Sequence, residues 1–236
     1  MTFGRNQQGF TLVEMLVVVP ITLIVCVVLV SVLVSKNGEL YERNARVNLR
    51  MEGLNLLDKL QDELTFSSRF NATLISGLND ANDPPGGWDY DSTPNNTLII
   101  SLPAIDKPRS DPSRQFVYYN SGPNNGQIAI NNIIYYVVGD KLYRRVVVPS
   151  PSVVSPANFF TQTCPVNDNT PCQDDLEMSR NVDSLQVQYF DENNVAVQNN
   201  PVQADKVKVT LGMTDMANGN VINETISITV KKYNDF

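Results

Sequence analysis

Residues 9–19 read GFTLVEMLVVV, and a single acid, Glu14, stands inside this mostly apolar stretch. From Met15 to Ser35 no side chain is charged, and most are Val, Leu or Ile. A run of about 20 such residues is long enough to cross a bilayer as a helix. The residues before it, MTFGRNQQG, carry one charged side chain, Arg5. Because positive charge favours the cytoplasmic side, we expect a single-pass protein of the cytoplasmic membrane. The chain that follows the apolar run, a globular head, should then lie outside the cytoplasm.

Two other kinds of apolar N-terminal segment fit these residues poorly. A cleaved secretory signal has a shorter apolar core followed by a small-residue cleavage site, and VLVSKNG offers no such site. A lipoprotein signal would end at its cysteine, whereas Cys26 lies in the middle of the run after the bulky Val25. A plain membrane anchor fits the hydropathy but does not explain Glu14, or the Gly-Phe-Thr sequence before the run.

The stretch QGFTLVEMLVV resembles the N-terminal signature of type IV pilin-like proteins, the class III signal of prepilins and pseudopilins. In those proteins a short leader ends in glycine, and phenylalanine, a glutamate four places on and an apolar helix follow. The resemblance implies that residues 1–9 are a leader peptide, that a prepilin peptidase cuts between Gly9 and Phe10, and that Phe10 is then N-methylated. Pro20 departs from the pattern, because it lies nearer the new N-terminus than the helix proline of major pilins.

The same resemblance gives Glu14 a role in subunit assembly. A carboxylate in a membrane helix is costly and usually has a partner. The new amine of Phe10 in one subunit can neutralise Glu14 of a neighbour, which favours the register that joins them. The simpler alternative is that Glu14 lies at the level of the lipid headgroups. A subunit that keeps this acid can lie beneath another, so we expect a position near the filament tip, just below a tip subunit.

The helix is predicted in two halves, a transmembrane or filament-core half over residues 10–35 and an amphipathic half over residues 36–70. The second half has no proline, and its leucines fall on one broad face with Gly53 among them, while charged residues fill the other positions. We expect this face to pack on the globular head. The leucines are Leu49, Leu56, Leu57, Leu60 and Leu64.

Residues 71–236 predict a β-rich head. Residues 206–211 and 226–231 alternate apolar and polar side chains, which is typical of an antiparallel sheet buried on one face. The sequence MANGN should join these two segments as neighbours, and Gly139-Asp140 should form the turn of another hairpin. The result is an α+β, type IV pilin-like fold. The head segments bear a looser resemblance to large minor pilins and to the J-type minor pseudopilin of type II secretion.

An acidic loop precedes the first predicted strand of the head. Four of its carboxylates are candidate calcium ligands, because calcium binds oxygen atoms presented by such loops, although the spacing matches no EF-hand. A solvated acidic loop is the alternative interpretation. Trp88 in this loop is expected to cap the core or to mark a contact surface. The candidate ligands are Asp80, Asp83, Asp89 and Asp91.

Cys164 and Cys172 flank a short polar loop, and in a head outside the cytoplasm they predict a disulfide. A zinc site is the rival interpretation, but two cysteines without any histidine make a poor tetrahedral set. Cys26, in the predicted membrane segment, is expected to remain a free thiol.

The composition excludes several functions. The net charge of −7 and pI of about 4.6 argue against nucleic acid as the main partner. The absence of histidine excludes Ser-His-Asp and Cys-His catalytic arrangements, and no other pairing of nucleophile and base stands out. We therefore expect a protein that is not an enzyme and uses no cofactor.

The function expected from the resemblance is that of a minor pilin or minor pseudopilin, a structural subunit of a type IV pilus or a type II secretion pseudopilus. Its partners would be other minor and major pilins or pseudopilins, the prepilin peptidase, and membrane lipid before assembly. The alternative is a membrane-tethered extracellular binding module, an adhesin whose helix is only an anchor and which does not polymerise.

Cells that have a prepilin peptidase are expected to yield a mature chain that starts at N-methylated Phe10. Replacing Gly9 by leucine should leave the leader attached, because the resemblance implies that the peptidase needs a small residue before the cleaved bond. Intact mass and N-terminal sequencing of membrane-extracted protein measure both outcomes. A wild-type chain that still starts at Met1 in such cells would contradict the prediction.

Overall fold

The computed structural model describes residues 11–92, 94–165, 172–198 and 200–233. The predicted leader and the cleavage-site residues Gly9 and Phe10 lie outside these ranges. Within them, one long helix is followed by β-strands and two short 3-10 helices, Pro151–Val153 and Pro201–Gln203. The predicted α+β architecture, a long N-terminal helix packed on antiparallel sheet, is confirmed.

Helix α1 spans Leu12–Thr65. Its 54 residues give a rod of about 80 Å at 1.5 Å per residue. Pro20 has no N–H for the helical ladder, yet the helix continues on both sides of it. Two residues later, the Thr22 hydroxyl donates to the Val18 carbonyl oxygen at 2.8 Å.

The end of α1 differs from the prediction, which carried the helix to about Phe70. The helix stops at Thr65, and the Phe66 N–H closes the last turn on the Asp62 carbonyl oxygen. Residues 69–71 then form a strand whose Phe70 side chain is fully buried. Pairing in a sheet and burial of the Phe70 side chain are therefore more favourable at these residues than continued helix.

Twelve strands follow in the described residues, and all the pairings of the two larger sheets are antiparallel. The strands are β1 (Arg69–Asn71), β2 (Leu98–Pro103), β3 (Tyr118–Tyr119), β4 (Ile130–Val138), β5 (Lys141–Val147), β6 (Val154–Ser155), β7 (Thr163–Cys164), β8 (Gln173–Asp174), β9 (Leu176–Ser179), β10 (Val182–Phe190), β11 (Lys206–Ala217) and β12 (Asn220–Lys231). The larger sheet has the order β1-β2-β4-β5-β9, and the second has the order β10-β11-β12. Strands β3 and β6 pair antiparallel, and β7 and β8 pair parallel.

Both predicted hairpins form. Gly139 and Asp140 connect β4 to β5, and Gly139 takes a positive φ of 65°. Asn218 and Gly219, within MANGN, connect β11 to β12 with φ of 52° and 79°. Positive φ at both central residues matches the tight turn that suits the twist of a hairpin.

The leucine face of α1 packs on β11 and β12, as the amphipathic pattern predicted. Gly53 lies at the centre of this contact, where an added Cβ would overlap the side chains of Ile226 and Met213. Strand β12 runs beside the helix from Glu42, which accepts a hydrogen bond from Asn220, to Thr65, which accepts one from the Tyr233 N–H. The five predicted leucines are all buried, Leu49, Leu56, Leu57, Leu60 and Leu64.

Candidate functional site

The first half of α1 is exposed along its described length. Every residue from Thr11 to Asn37 is exposed, and the large apolar side chains between Leu12 and Val34 are 48–80% exposed. By length and composition, this is the one helix among the described residues that could cross a membrane. An exposed apolar surface of this size marks a site of contact with lipid or with other protein.

Glu14 lies in the first turn of this bare helix, where it forms a capping box with Thr11. The Thr11 N–H and hydroxyl both donate to Glu14 Oε2 at 2.9 Å, and the Glu14 N–H donates to Thr11 Oγ1 at 3.3 Å. A carboxylate here also faces the positive end of the helix dipole. This local role was not among the predictions from the sequence, although the pattern Thr-x-x-Glu before an apolar run signals it. The pairing of Glu14 with a Phe10 amine stays a prediction, because Phe10 lies outside the described residues.

An apolar stripe continues beyond the apolar run on the outer side of α1. Its residues are Leu40, Val47, Met51 and Leu54, separated by seven, four and three positions, so they share one side of the helix. Their side chains are 52–58% exposed, and they lie opposite the leucine face that packs on the head. Only the leucine face was predicted from the sequence, although the same helical periodicity also marks this stripe.

Asp80, one of the calcium candidates, instead belongs to a buried ion cluster. Arg145 on β5 donates from Nη1 to Asp80 Oδ2 at 2.9 Å and from Nη2 to Asp175 Oδ2 at 2.6 Å. The three side chains are at most 1% exposed. One guanidinium thus faces two carboxylates and joins the acidic loop to the segment before β9.

Aromatic rings and hydroxyls complete this cluster. The Trp88 indole N–H donates to Asp80 at 2.8 Å, and the Tyr136 hydroxyl donates to Asp175 at 2.6 Å. The Arg145 guanidinium lies 5.1 Å from the centre of the Trp88 ring. Burial, together with the hydrogen bond to Asp175, raises the pKa of the Tyr136 phenol. Trp88 therefore caps the core, which was one of its two predicted roles.

The remaining calcium candidates do not gather around Asp80. Asp83, Asp89 and Asp91 are exposed, while Asp80 is buried and paired with Arg145. Among the residues that the structure describes, no three acidic, cysteine or histidine side chains form a group that could hold a metal ion. The solvated-loop interpretation fits the three exposed aspartates but not Asp80.

The predicted disulfide joins Cys164 to Cys172, whose Cα atoms are 6.0 Å apart. The Asp175 N–H donates to the Cys164 carbonyl oxygen at 2.7 Å, and the Asn82 side-chain amide donates to Cys164 Sγ at 3.2 Å. The disulfide therefore borders the Arg145 cluster. Cys26 is a free, exposed thiol in the bare half of α1.

Comparison with known proteins identifies the N-terminal segment. The family model of the prokaryotic N-terminal methylation motif matches residues 4–35. A search of the curated proteins found no match. Among solved structures, a type IV-like pilin from Thermus thermophilus matches with a TM-score of 0.41 and 11% sequence identity, over 78% of this chain and 96% of that one. A likeness this distant carries no argument about function.

The methylation motif thus overlaps the start of a long helix that packs on antiparallel sheet, which is the arrangement that the sequence resemblance implied. The motif brings a prepilin-type signal to the start of the helix, where Glu14 caps the first turn. The candidate functional site is therefore the helix itself, and it has three parts: the N-terminal signal, the bare apolar half and the outer apolar stripe.

Replacing Arg145 by methionine should lower the free energy of unfolding by about 3–5 kcal/mol, because Asp80 and Asp175 would stay buried without their cation. Lys141→Met is the matched control, since its ion pair with Glu177 is 37% and 27% exposed. Such a pair contributes about 0–1 kcal/mol. Urea titration of the full chain in detergent measures both variants, and equal losses would show that the cluster is not the stronger constraint.

Proposed function

We propose that this chain is a minor pilin or minor pseudopilin, a structural subunit that enters a type IV pilus or a type II secretion pseudopilus near the tip. A prepilin peptidase would cut between Gly9 and Phe10 and methylate Phe10. Before assembly the bare half of α1 would lie in the cytoplasmic membrane, with the head outside the cytoplasm. The matched methylation motif supports the processing, and the exposed surface of α1 supports the assembly.

The outer apolar stripe is the observation that carries the assembly proposal. Leu54 lies 19 positions beyond Ser35, or about 28 Å farther along the helix. The hydrocarbon core of a bilayer is about 30 Å thick, so lipid that covers the span does not also reach Met51 and Leu54. A helix that serves only as a membrane anchor does not require exposed apolar residues at these positions. Helices of neighbouring subunits in a filament would cover them, as exposed apolar patches usually mark protein contacts.

Glu14 would supply the register of that assembly. The capping box holds its carboxylate at the start of the helix, close to the place where the new N-terminus would begin. The hydrogen bonds from Thr11 do not neutralise the negative charge of Glu14, and among the described residues no cation pairs with it. In the proposed filament, the Phe10 amine of a neighbouring subunit brings that cation to a low-dielectric site, where a paired charge is strongly favoured over an unpaired one.

The membrane-tethered binding module remains the competing function, and one feature of the head favours it. A cleft of about 640 Å³ opens beside the 3-10 helix Pro151–Val153, with Val148, Val154 and Phe160 in its wall. Ligand sites are commonly concave and mostly apolar. This cleft lies on the head and does not account for the apolar stripe of α1.

Glu14→Gln should keep the chain in the membrane and lower its incorporation into filaments, because the neighbouring amine would lose its charged partner. Glu39→Gln is the matched control, since Glu39 is exposed and pairs with Lys36 on the same helix. Cross-linking to partner pilins and the protein content of sheared filaments report incorporation. Normal values for the Glu14 variant would rule out its register-setting role.

The double variant Met51→Ser, Leu54→Ser should fold normally, because both side chains are already exposed, and should be several-fold depleted from sheared filaments. The control is Leu176→Ser with Val195→Ser, which removes two apolar side chains of similar exposure from the head. The fraction of each protein in filaments, relative to its membrane level, is the measurement. If the stripe variant enters filaments normally, or wild-type protein never does, the tethered binding module becomes the better explanation.

A further inference from the structure

We propose that the tip of the β11–β12 hairpin lies in the outer interface of the bilayer beside the membrane span before assembly. This tip, residues 216–221, is called the hairpin foot. The inference rests on the membrane-spanning part of the proposed function and does not require a filament. The partner is the boundary between headgroups and acyl chains, which accepts half-buried apolar side chains.

The hairpin foot is fixed to α1 immediately beyond the apolar run. Gly38 makes room for the turn, because an added Cβ there would lie 2.9 Å from the Asn218 side-chain amide. The Asn220 amide donates to Glu42 Oε1 at 2.6 Å. Val34, inside the apolar run, and Asn218 line the same shallow hollow. The foot therefore stands next to the last turns of the span.

The height of the foot matches the bilayer interface. Gly38 and Glu42 lie three and seven positions beyond Ser35, or about 4 Å and 10 Å along the helix. The headgroup region adds about 5–7 Å on each side of the hydrocarbon core. Tyr41, 68% exposed, and Lys36 stand at the same level. Tyrosine is enriched at this depth and lysine extends its amine to it, so both suit a membrane boundary.

The outward face of the hairpin changes character at the foot. Over residues 206–231, all of which the structure describes, the outward side chains are polar until the last outward-facing cross-strand pair, Met216 and Val221. These two side chains are 69% and 59% exposed. The polar outward residues are Lys206, Lys208, Thr210, Thr214, Asn223, Thr225, Ser227, Thr229 and Lys231, with Gly212 among them.

The charges near the foot do not call for an anionic lipid. Lys36 pairs with Glu39, Arg46 pairs with Glu224 at 3.3 Å, and the exposed Arg43 lies on the same helix beside the carboxylates of Glu39 and Glu42. Contact with the membrane would therefore depend on the apolar pair and on Tyr41. It would hold the head against the membrane at a fixed angle to the span and release it when the subunit moves into a filament.

The test uses the full chain in phosphatidylcholine vesicles that contain nitroxide-labelled lipid. A thiol-reactive fluorophore is placed at Met216→Cys in a Cys26→Ser background, and lipid with its nitroxide near the headgroup should quench it strongly. The matched control is Val195→Cys, where the native side chain is 58% exposed against 69% for Met216, in the loop that follows β10. That loop is near the Lys206 end of β11, about 34 Å from Met216 along the strand. It should show little quenching.

A label on the native Cys26 thiol of the wild-type chain shows which of two predictions has failed, the membrane span or the placement of the hairpin foot. Quenching of this label by a nitroxide deep in the acyl chains shows that the span is inserted. A Met216 label as weakly quenched as the Val195 label, with Cys26 quenched, would overturn the hairpin foot alone. An unquenched Cys26 label would overturn the membrane span of the proposed function, and the inference with it.

A second variant tests whether the fluorophore at residue 216 itself draws the hairpin foot into the membrane. The label moves to Asn223→Cys, the next outward position on β12, with Met216 and Val221 either kept or both changed to serine. Quenching by the shallow nitroxide should fall when both are serine, because the apolar pair then no longer holds the foot in the interface. Unchanged quenching would overturn the role of the pair.

Discussion

The contact between the leucine face of α1 and strands β11 and β12 is the constraint on which the molecule depends. Gly53 allows close approach at its centre, and the buried leucines fill the space on both sides. Because β12 runs beside the helix from Glu42 to Thr65, this packing orients the head relative to the bare half of α1. The direction in which the bare half leaves the head, and the side of the helix left free for partners, follow from this one interface.

The Arg145 cluster constrains the side of the head that lacks this helix. Removing a guanidinium and two carboxylates from water is costly, and a buried ion pair is by itself weak evidence of stability. Its effect here is on arrangement, since Arg145 bonds the acidic loop through Asp80 and the segment beside the disulfide through Asp175. Long polar connections are thereby held in one geometry between the strands.

The two halves of α1 have different surfaces, and each suits different surroundings. The run from Met15 to Ser35 is uncharged and mostly apolar on every side, which suits apolar surroundings such as lipid or a helical bundle. The half from Gly38 onward has one apolar face for the head and a narrower stripe on the outer side. Glu14 marks one end of the first half, and the hairpin foot marks the other. In the proposed membrane-bound state, the boundary near Gly38 would be where membrane, helix and head meet.

The sequence by itself determined the features that depend on local pattern: the long helix, its leucine face, both hairpin turns and the pairing of Cys164 with Cys172. Periodicity, turn chemistry and residue spacing act over a few positions, so they can be read without a fold. Only the tertiary structure decided that Asp80 binds Arg145 rather than calcium, and that the helix yields to strand before Phe70. Those outcomes depend on partners 65 and 30 residues away, Arg145 for Asp80 and Ile100 for Phe70. No local signal names such a partner, because the core that buries both groups exists only after the sheets have formed.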